Sequence, residues 1–458
     1  MMAAAAEHRR GLVSLAGPVY VELLSGVTAG IVNTVWVARL GGAALAAVAV
    51  ATTVENLLLG VVLVAGTGTT VLLARARGAQ DPAAVRSALR GVWALWAVVT
   101  PVVAAGGYLG REPLARLVLG GADGGSLDLA TGYFSVALPG IAVFYAANVV
   151  DGILKGAGDT RTPMRLAVLA NGLILVLDPL LILGAGLGVR GAAIATVLGR
   201  TVALACGAVA LRRNRVLRWA AGAPRNLQGG SLRADFARTA ATGLPMSADF
   251  VTRMAGTLAL VAVVARLGVD EVAGYGMATK ATYVATMAFY AVRQAAAIRT
   301  AHLLGAGRDE RRAVGRQALL LSGALGLSAG LALLAAAPWI MRALGSGGAA
   351  AAAGALYLRC SGPYLLLLAC YIALGGVFEG SGGSPALARI TACGVVLQLA
   401  LAYGLSAYGL PGICSAMATA MAVQCAAVAA MHLRTREART AGDGDTKGAT
   451  DARTGVGR

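Results

Sequence analysis

The chain has 458 residues, of which 58% are apolar and 13% are charged. This composition argues against a soluble nucleotide-binding enzyme and indicates a membrane protein. The net charge of +18 needs no nucleic-acid partner, because arginines in the loops between apolar runs account for most of it, and we predict that no nucleic acid binds.

Apolar runs of membrane-spanning length follow one another almost without a break. A helical span needs about 20 residues, whereas a transmembrane β-barrel would show shorter, alternating segments. We therefore predict an all-α integral membrane protein with twelve transmembrane helices, at residues 12–37, 43–72, 90–109, 130–152, 164–184, 191–211, 240–265, 272–298, 317–340, 357–377, 387–407 and 412–432.

The loops between these spans differ in their basic content. When the N-terminus is placed inside, the inside segments hold most of the 39 Lys and Arg residues, and the largest cluster lies between Arg212 and Arg238. Cytoplasmic loops accumulate such residues. We therefore predict a multi-pass protein of the inner (cytoplasmic) cell membrane with both termini in the cytoplasm.

The two halves of the chain repeat each other. "GPVYVELL" and "VARLGGAALAAVAV" match "LPMSADFV" and "VARLGVDEVAGYGM" at a constant offset of 227 residues, which pairs Pro18 with Pro245 and Gly78 with Gly305. Each half holds six predicted spans, an even number, so the repeats are parallel, as in one design of secondary transporters. We predict two six-helix lobes around a central cavity, with Pro18 and Pro245 as hinges.

The predicted domains follow from this repeat. They are an N-terminal lobe at 1–211, a cytoplasmic linker at 212–238, a C-terminal lobe at 239–433 and a cytoplasmic tail at 434–458. The arginine-rich linker is expected to form a short helix on anionic lipid. The tail lacks apolar periodicity, so we predict that it is disordered.

A glycine-rich stretch, "LKGAGDTRTP", looks at first like a phosphate-binding loop. A diverged copy, "FEGSGGSP", lies between the equivalent spans of the second half, and neither copy supplies a P-loop lysine before a helix that enters a soluble site. We therefore interpret Gly156, Gly158, Gly380 and Gly382 as residues that let the chain reverse between packed spans.

Four motifs resemble those of the MATE (multidrug and toxic compound extrusion) transporters: "ARLGG" after the first span, "RARGAQD" after the second, "GILKGAGDTRTP" after the fourth, and "LDPLLILGAGLGVRGAAIATVLG" across the fifth and sixth. The resemblance covers residues 12–432. It implies export of cationic or amphiphilic compounds in exchange for protons or sodium. It also implies membership of a superfamily that contains lipid-linked sugar flippases.

The resemblance suggests which residues couple transport to an ion. The family's N-terminal lobe typically has an Asp on helix one, an Asn and an Asp one turn apart on helix five, and a Thr on helix six. Asp178 and Thr196 match this pattern, whereas Asn171 lies one turn too far from Asp178, and Asn33 stands where the helix-one Asp is expected. An amide can donate a hydrogen bond but cannot exchange a proton at physiological pH. Asp178 must then carry the exchange alone or share it with Glu22.

Glu22 and Asp249 occupy equivalent positions, four residues after the proline of each repeat. Ionisable side chains within spans are candidates for function. We place both near mid-membrane in the substrate cavity, where they would face a cation. Arg253 follows Asp249 by four residues, so an internal ion pair is an equal alternative for Asp249.

Other charges also fall in predicted spans. Glu55 and Lys280 lie in equivalent helices and could pair across the two lobes. Asp151 and Arg293 are expected to extend towards the cytoplasmic headgroups, as long charged side chains near span ends do.

These patterns predict an ion-coupled antiporter that exports organic cations or amphiphilic compounds by alternating access. Protons are favoured over Na⁺, because Asn33 removes one anionic ligand. The alternative is a flippase for lipid-linked precursors, which needs a strongly cationic cavity.

The sequence holds no convergent catalytic set, so we predict no enzyme activity, no metal and no cofactor. The expected partners are the substrate and membrane lipids, and we expect a monomer.

Overall fold

The computed structural model describes the backbone of residues 2–119, 124–224, 230–343 and 348–454, and side chains within 5–56, 58–116, 125–224, 230–343 and 348–431. The helices, in chain order, are α1 Met2–Ala38, α2 Gly42–Gly78, α3 Pro82–Leu109, α4 Arg111–Leu119, α5 Gly124–Gly156, α6 Arg161–Pro179, α7 Gly188–Arg213, α8 Arg215–Gly222, α9 Leu232–Val264, α10 Val269–Gly305, α11 Arg311–Ala343, α12 Gly348–Cys360, α13 Gly362–Ser381, α14 Ser384–Leu405 and α15 Gly409–Thr454. A π-helical segment, Leu180–Gly184, follows α6, and a short 3₁₀-helix, Ser406–Tyr408, separates α14 from α15. No strand occurs in these ranges.

The predicted spans coincide with the long helices. Ten segments of the described chain are long and apolar enough to cross a membrane, and the last of them, Ser384–Met431, contains α14 and most of the apolar part of α15. Helix α10, which carries several charges and is not among these ten segments, contains the predicted span 272–298. Helices α4, α8 and α12 are short additional helices. The prediction of an all-α integral membrane protein is confirmed.

Helix boundaries differ from the predicted ones where local capping decides them. α3 begins at Pro82 rather than near residue 90, because the Asp81 carboxylate accepts hydrogen bonds from the N–H groups of Ala83 and Ala84 at 2.8 and 3.0 Å. The predicted span 357–377 is interrupted at Ser361, since Pro363 has no N–H with which to continue α12 and instead lies in the first turn of α13.

The two halves repeat the same packing. In the first half, α2 packs on α5, α5 on α7 and α6 on α7. In the second half, the equivalent helices pack in the same way: α10 on α13, α13 on α15 and α14 on α15. Small residues allow such close helix packing within a bilayer. The correspondence gives the two lobes expected from the parallel repeat.

The glycine-rich stretches are turns in both halves. Gly158 and Gly382 have positive φ angles of 84° and 87°, which glycine adopts without a steric penalty. Gly156 packs against the backbone of Thr70, and Gly380 against that of Ala297, so a side chain at either position would collide with a neighbouring helix.

The lobes touch each other where α2 and α10 end. A β-carbon on Gly78 would collide with the carbonyl oxygen of His302, and one on Gly305 would collide with the carbonyl oxygen of Arg75. These repeat-related glycines therefore bring the two backbones into direct contact. Helix α1 also packs on α10, and α3 on α9. We call this contact region, formed around Gly78, His302, Arg75 and Gly305, the closed end of the protein.

Helix α8 lies in the predicted linker and is the short helix expected there. Arg86 of α3 contacts the C-terminal end of α8, where it donates hydrogen bonds to the carbonyl oxygens of Ala220 and Ala223, each at 2.9 Å. Residues 225–229 of the linker lie outside the described residues.

The sequence predicts a disordered tail from residue 434, whereas α15 extends to Thr454, and the side chains beyond Met431 are not among those described.

Candidate functional site

Asp178 lies in the last turn of α6, where Pro179 and the π-helical segment interrupt the regular helix. Its carboxylate is fully buried, and Asn33 of α1 donates a hydrogen bond from Nδ2 to Asp178 Oδ2 at 2.8 Å. The other oxygen, Oδ1, has no hydrogen-bond partner among the described residues. The structure thus brings together two of the four predicted coupling residues and leaves one carboxylate oxygen open.

The other two predicted coupling residues form different hydrogen bonds. Asn171 donates to the hydroxyl of Ser25 in α1 at 2.8 Å. Thr196 donates to the carbonyl oxygen of Ala192 in its own helix at 3.0 Å, and it lines a cavity whose lining residues do not include Asp178. Asn171 lies seven residues before Asp178, about two helical turns away, so it does not complete a compact ligand set with it.

The cavity beside Thr196 lies inside the N-terminal lobe, between α2, α5 and α7. It has a volume of about 160 Å³ and is partly open to the surroundings, and its polar lining residues include Glu55, Asn56, Tyr133, Thr196 and Arg200. The hydroxyl of Tyr133 donates to Glu55 Oε1 at 3.0 Å. The guanidinium of Arg200 stacks on the ring of Phe144 at 4.1 Å. The cavity therefore carries one acidic and one basic group.

The sequence pattern does not reveal this cavity. The equivalent positions of Glu55 and Lys280 predict a pair across the two lobes, but Glu55 bonds to Tyr133 in its own lobe, and no Glu55–Lys280 ion pair occurs in the described part of the chain. The available signal was the presence of charged residues within the apolar runs "TTVENLLL" and "VLGRTVAL". Hydropathy alone does not tell which neighbours such charges face.

Glu22 belongs to a buried charge triad. Its Oε1 accepts a hydrogen bond from Lys155 Nζ at 2.8 Å, and the same ammonium contacts Asp151 Oδ2 at 2.8 Å. Lys155, which the sequence places at the cytoplasmic side, is only 4% exposed. It lies in the last turn of α5, so Glu22 is nearer that helix end than the predicted mid-membrane position. Two carboxylates share one ammonium, and the triad is therefore negative by one charge when all three groups are ionised.

Asp249 belongs to a larger network in the C-terminal lobe. It is buried and accepts hydrogen bonds from Arg253, from Thr391 and, at 2.7 Å, from Arg293. Arg293 also contacts Glu379 Oε1 at 2.6 Å. The ion pair expected from the spacing of Asp249 and Arg253 is thus present. Two carboxylates face two guanidiniums, so the network is neutral.

The position of Arg293 corrects the prediction that it extends to the headgroups. Arg293 is 5% exposed, and its guanidinium lies between the carboxylates of Asp249 on α9 and Glu379 on α13. A buried guanidinium is stable only when it is paired and hydrogen-bonded, and the lobe supplies both partners. Asp249 consequently offers no unbalanced charge to a substrate in this arrangement.

Pro18 and Pro245 lie inside the continuous helices α1 and α9. A proline cannot donate the backbone hydrogen bond to the residue four positions earlier, so each helix is weakened at this point. This weakness is compatible with a hinge, and the hinge role stays a prediction.

The lobes, the repeated packing and the buried acids define a two-lobed membrane transporter of the α-helical class. The MatE family model matches residues 18–180 and 245–404, one segment in each half. The chain therefore belongs to the MATE family of transporters.

Several known proteins are similar to this chain. It is 28% identical to the FAD transporter of Shewanella oneidensis over 318 residues, and this match covers 68% of each protein. It is 24% identical to the probable multidrug resistance protein YpnP of Bacillus subtilis over 301 residues, and this match covers 66% of each protein. The matched segments thus span about two thirds of these relatives. A multidrug resistance MATE family transporter solved in an outward-facing conformation has the same fold, with a TM-score of 0.86 at 23% identity over 93% of this chain and 96% of that one.

Proposed function

We propose that this protein is a proton-driven antiporter that exports organic cations or amphiphilic compounds across the cell membrane by alternating access. The observation that carries the proposal is the contact between Asn33 and Asp178, at 2.8 Å. It leaves a fully buried carboxylate that has no ion-pair partner and one unpartnered oxygen among the described residues. Such a group can take up a proton from one side of the membrane and release it to the other.

The surroundings of Asp178 favour protons over Na⁺. Hard cations bind through several oxygen ligands. Asn33 turns its N–H group towards Asp178, while Asn171 and Thr196 donate to other oxygens. Few oxygens therefore remain to surround a sodium ion beside this carboxylate.

The charges of the two lobes favour a cationic substrate over a lipid-linked pyrophosphate. The triad of Glu22, Lys155 and Asp151 has an excess negative charge when all three groups are ionised, and the network around Asp249 is neutral. A flippase for pyrophosphate-linked lipids would instead need an excess of positive charge. Because one relative is named a FAD transporter and another a multidrug resistance protein, both a dye cation and FAD belong in the first transport assays.

The arginine-rich loops favour a cytoplasmic location for the closed end and for both termini. The contact of Gly78 with His302 then seals the cytoplasmic side, which corresponds to the outward-facing state of an alternating-access cycle. We further propose that the transporter works as a monomer, because each chain supplies both lobes.

Transport by the purified protein in proteoliposomes tests this function. We expect a pH gradient alone to drive the export of a fluorescent organic cation, and a Na⁺ gradient at constant pH to have no effect. The physical reason is that one carboxyl suffices for proton exchange but not for Na⁺ coordination. Robust Na⁺-driven export that is independent of pH would contradict the proposal and would direct attention to Asp249.

Replacing Asn33 by aspartate should change the coupling. The new carboxyl would face Asp178, and two such close carboxyls titrate as a coupled pair. We expect Asn33→Asp either to shift the pH profile of export by about one pH unit or to add a response to Na⁺. Initial rates measured over a pH series, with and without Na⁺, check this. Profiles identical to those of the parent protein would show that Asn33 lies outside the coupling site.

A further inference from the structure

Arg200 is a basic residue in the membrane-spanning part of α7 that forms no ion pair or side-chain hydrogen bond with the described residues. Its guanidinium lines the N-lobe cavity and stacks on Phe144 at 4.1 Å. Within the described residues it forms no ion pair, and no oxygen accepts a hydrogen bond from its N–H groups. A guanidinium carries five N–H donors, and stacking on a ring satisfies none of them.

The depth of Arg200 rules out a lipid headgroup as its regular partner. It is the thirteenth residue of α7, which begins at Gly188, and thus lies about 18 Å along the helix. A hydrocarbon core is about 30 Å thick, so this position is near its middle. The donors therefore need a partner inside the cavity.

Glu55 does not supply that partner. It is the carboxylate whose charge acts on Arg200, but it accepts its hydrogen bond from Tyr133 and forms no ion pair with the guanidinium. Lys155 and Arg293 differ in this respect, because each lies between two carboxylates at ion-pair distance. The N-lobe cavity thus holds a guanidinium and a carboxylate that remain separate.

We propose that Arg200 binds the carboxylate of an exported amphoteric molecule, a compound that carries an acid group together with its cationic part. Arginine suits this role because its planar fork can donate two parallel hydrogen bonds to one carboxylate. The ring of Phe144 packs against one face of the guanidinium, and Thr196 and Asn56 are polar residues that line the same cavity. Glu55 lies in the same cavity, where it can face the cationic part. This inference rests on the export function proposed above and specifies its substrate class.

A pair of dyes that differ in one group tests the proposal. A rhodamine that carries a benzoate is amphoteric, whereas its methyl ester is a plain cation of nearly the same shape. Fluorescence anisotropy with the purified protein in detergent measures the affinity for each dye without any gradient. Efflux from proteoliposomes measures the transport of the same two dyes.

Arg200→Gln removes the charge, and Arg200→Lys keeps it but removes the fork. We expect Arg200→Gln to weaken binding of the acid by about tenfold or more and binding of the ester by less than about twofold, with Arg200→Lys in between. Arg266→Gln is the matched control, because Arg266 also stacks on a ring, that of Tyr403 at 4.4 Å, but lies outside the cavity. It should leave the affinity for both dyes unchanged.

The two measurements separate the inference from the function on which it rests. Equal affinity of the parent protein and Arg200→Gln for the acid would overturn the role of Arg200, as would failure of the parent protein to bind the acid. Export of neither dye under a pH gradient would overturn the proposed transport function. In that case the binding measurement would still decide whether Arg200 recognises a carboxylate.

Discussion

Replacing Asp178 by asparagine should reduce gradient-driven export to the background of empty vesicles while the protein remains folded in the membrane. Asparagine has nearly the same shape, and its amide can still form a hydrogen bond with Asn33, which contacts Asp178 at 2.8 Å in the parent protein. It cannot exchange a proton. The measurement is the initial rate of dye efflux under an imposed pH gradient, together with the melting temperature of the purified variant.

Asp128→Asn is the matched control for this experiment. Asp128 lies in the same lobe and is exposed, so the same chemical change there should leave the export rate as it is. Parental rates in Asp178→Asn would remove Asp178 from the coupling site. The remaining candidates would then be the triad of Glu22 and the half-buried Glu55.

Replacing Gly78 by alanine should have the second large effect, a strong loss of export caused by a single methyl group. The β-carbon would collide with the carbonyl oxygen of His302, and a backbone carbonyl cannot turn aside as a side chain can. The closed end would then fail to pack, and the cycle would lose one of its two states. Alanine favours the helix more than glycine does, so weaker helix formation cannot explain a loss.

The repeat provides an internal check on this prediction. Gly305→Ala should reduce the initial rate of export as strongly, because Gly305 makes the equivalent contact with Arg75. The double variant should be little worse than either single variant, since all three disturb one contact. Gly106→Ala is the control, as a β-carbon there meets no atom within 4 Å. Unchanged export by Gly78→Ala would mean that the closed end tolerates separation of the two helices.

The overall architecture could be predicted because it depends on local features of the chain. The length of each apolar run indicates a helix that spans a bilayer, and an even number of spans per repeat requires parallel halves. The glycines of "LKGAGDTRTP" and its copy indicate turns, and Gly158 and Gly382 have the positive φ angles that such turns use. These conclusions need no knowledge of which helix packs on which.

The candidate site was predicted only in part. Asp178 is predicted because ionisable groups within spans are costly, and Asn33 because it stands where the resemblance implies a helix-one Asp; the structure brings the two into contact. Asn171 and Thr196 were grouped with them through the resemblance to a family, but they bond to Ser25 and Ala192 instead. The order of residues along two helices does not specify the rotation of those helices about their axes.

The sequence by itself determined the membrane class, the number and order of the spans and the parallel repeat, whereas only the tertiary structure decided the partners of the buried charges. Arg293 is predicted to reach the headgroups, yet it lies buried between two carboxylates, and Lys155, in the last turn of α5, is likewise buried between two. The reason is that a helix apolar on all sides has no periodic signal for the face that turns inwards. The pairing of each charge is decided by helices that are distant in sequence, once the lobe has packed.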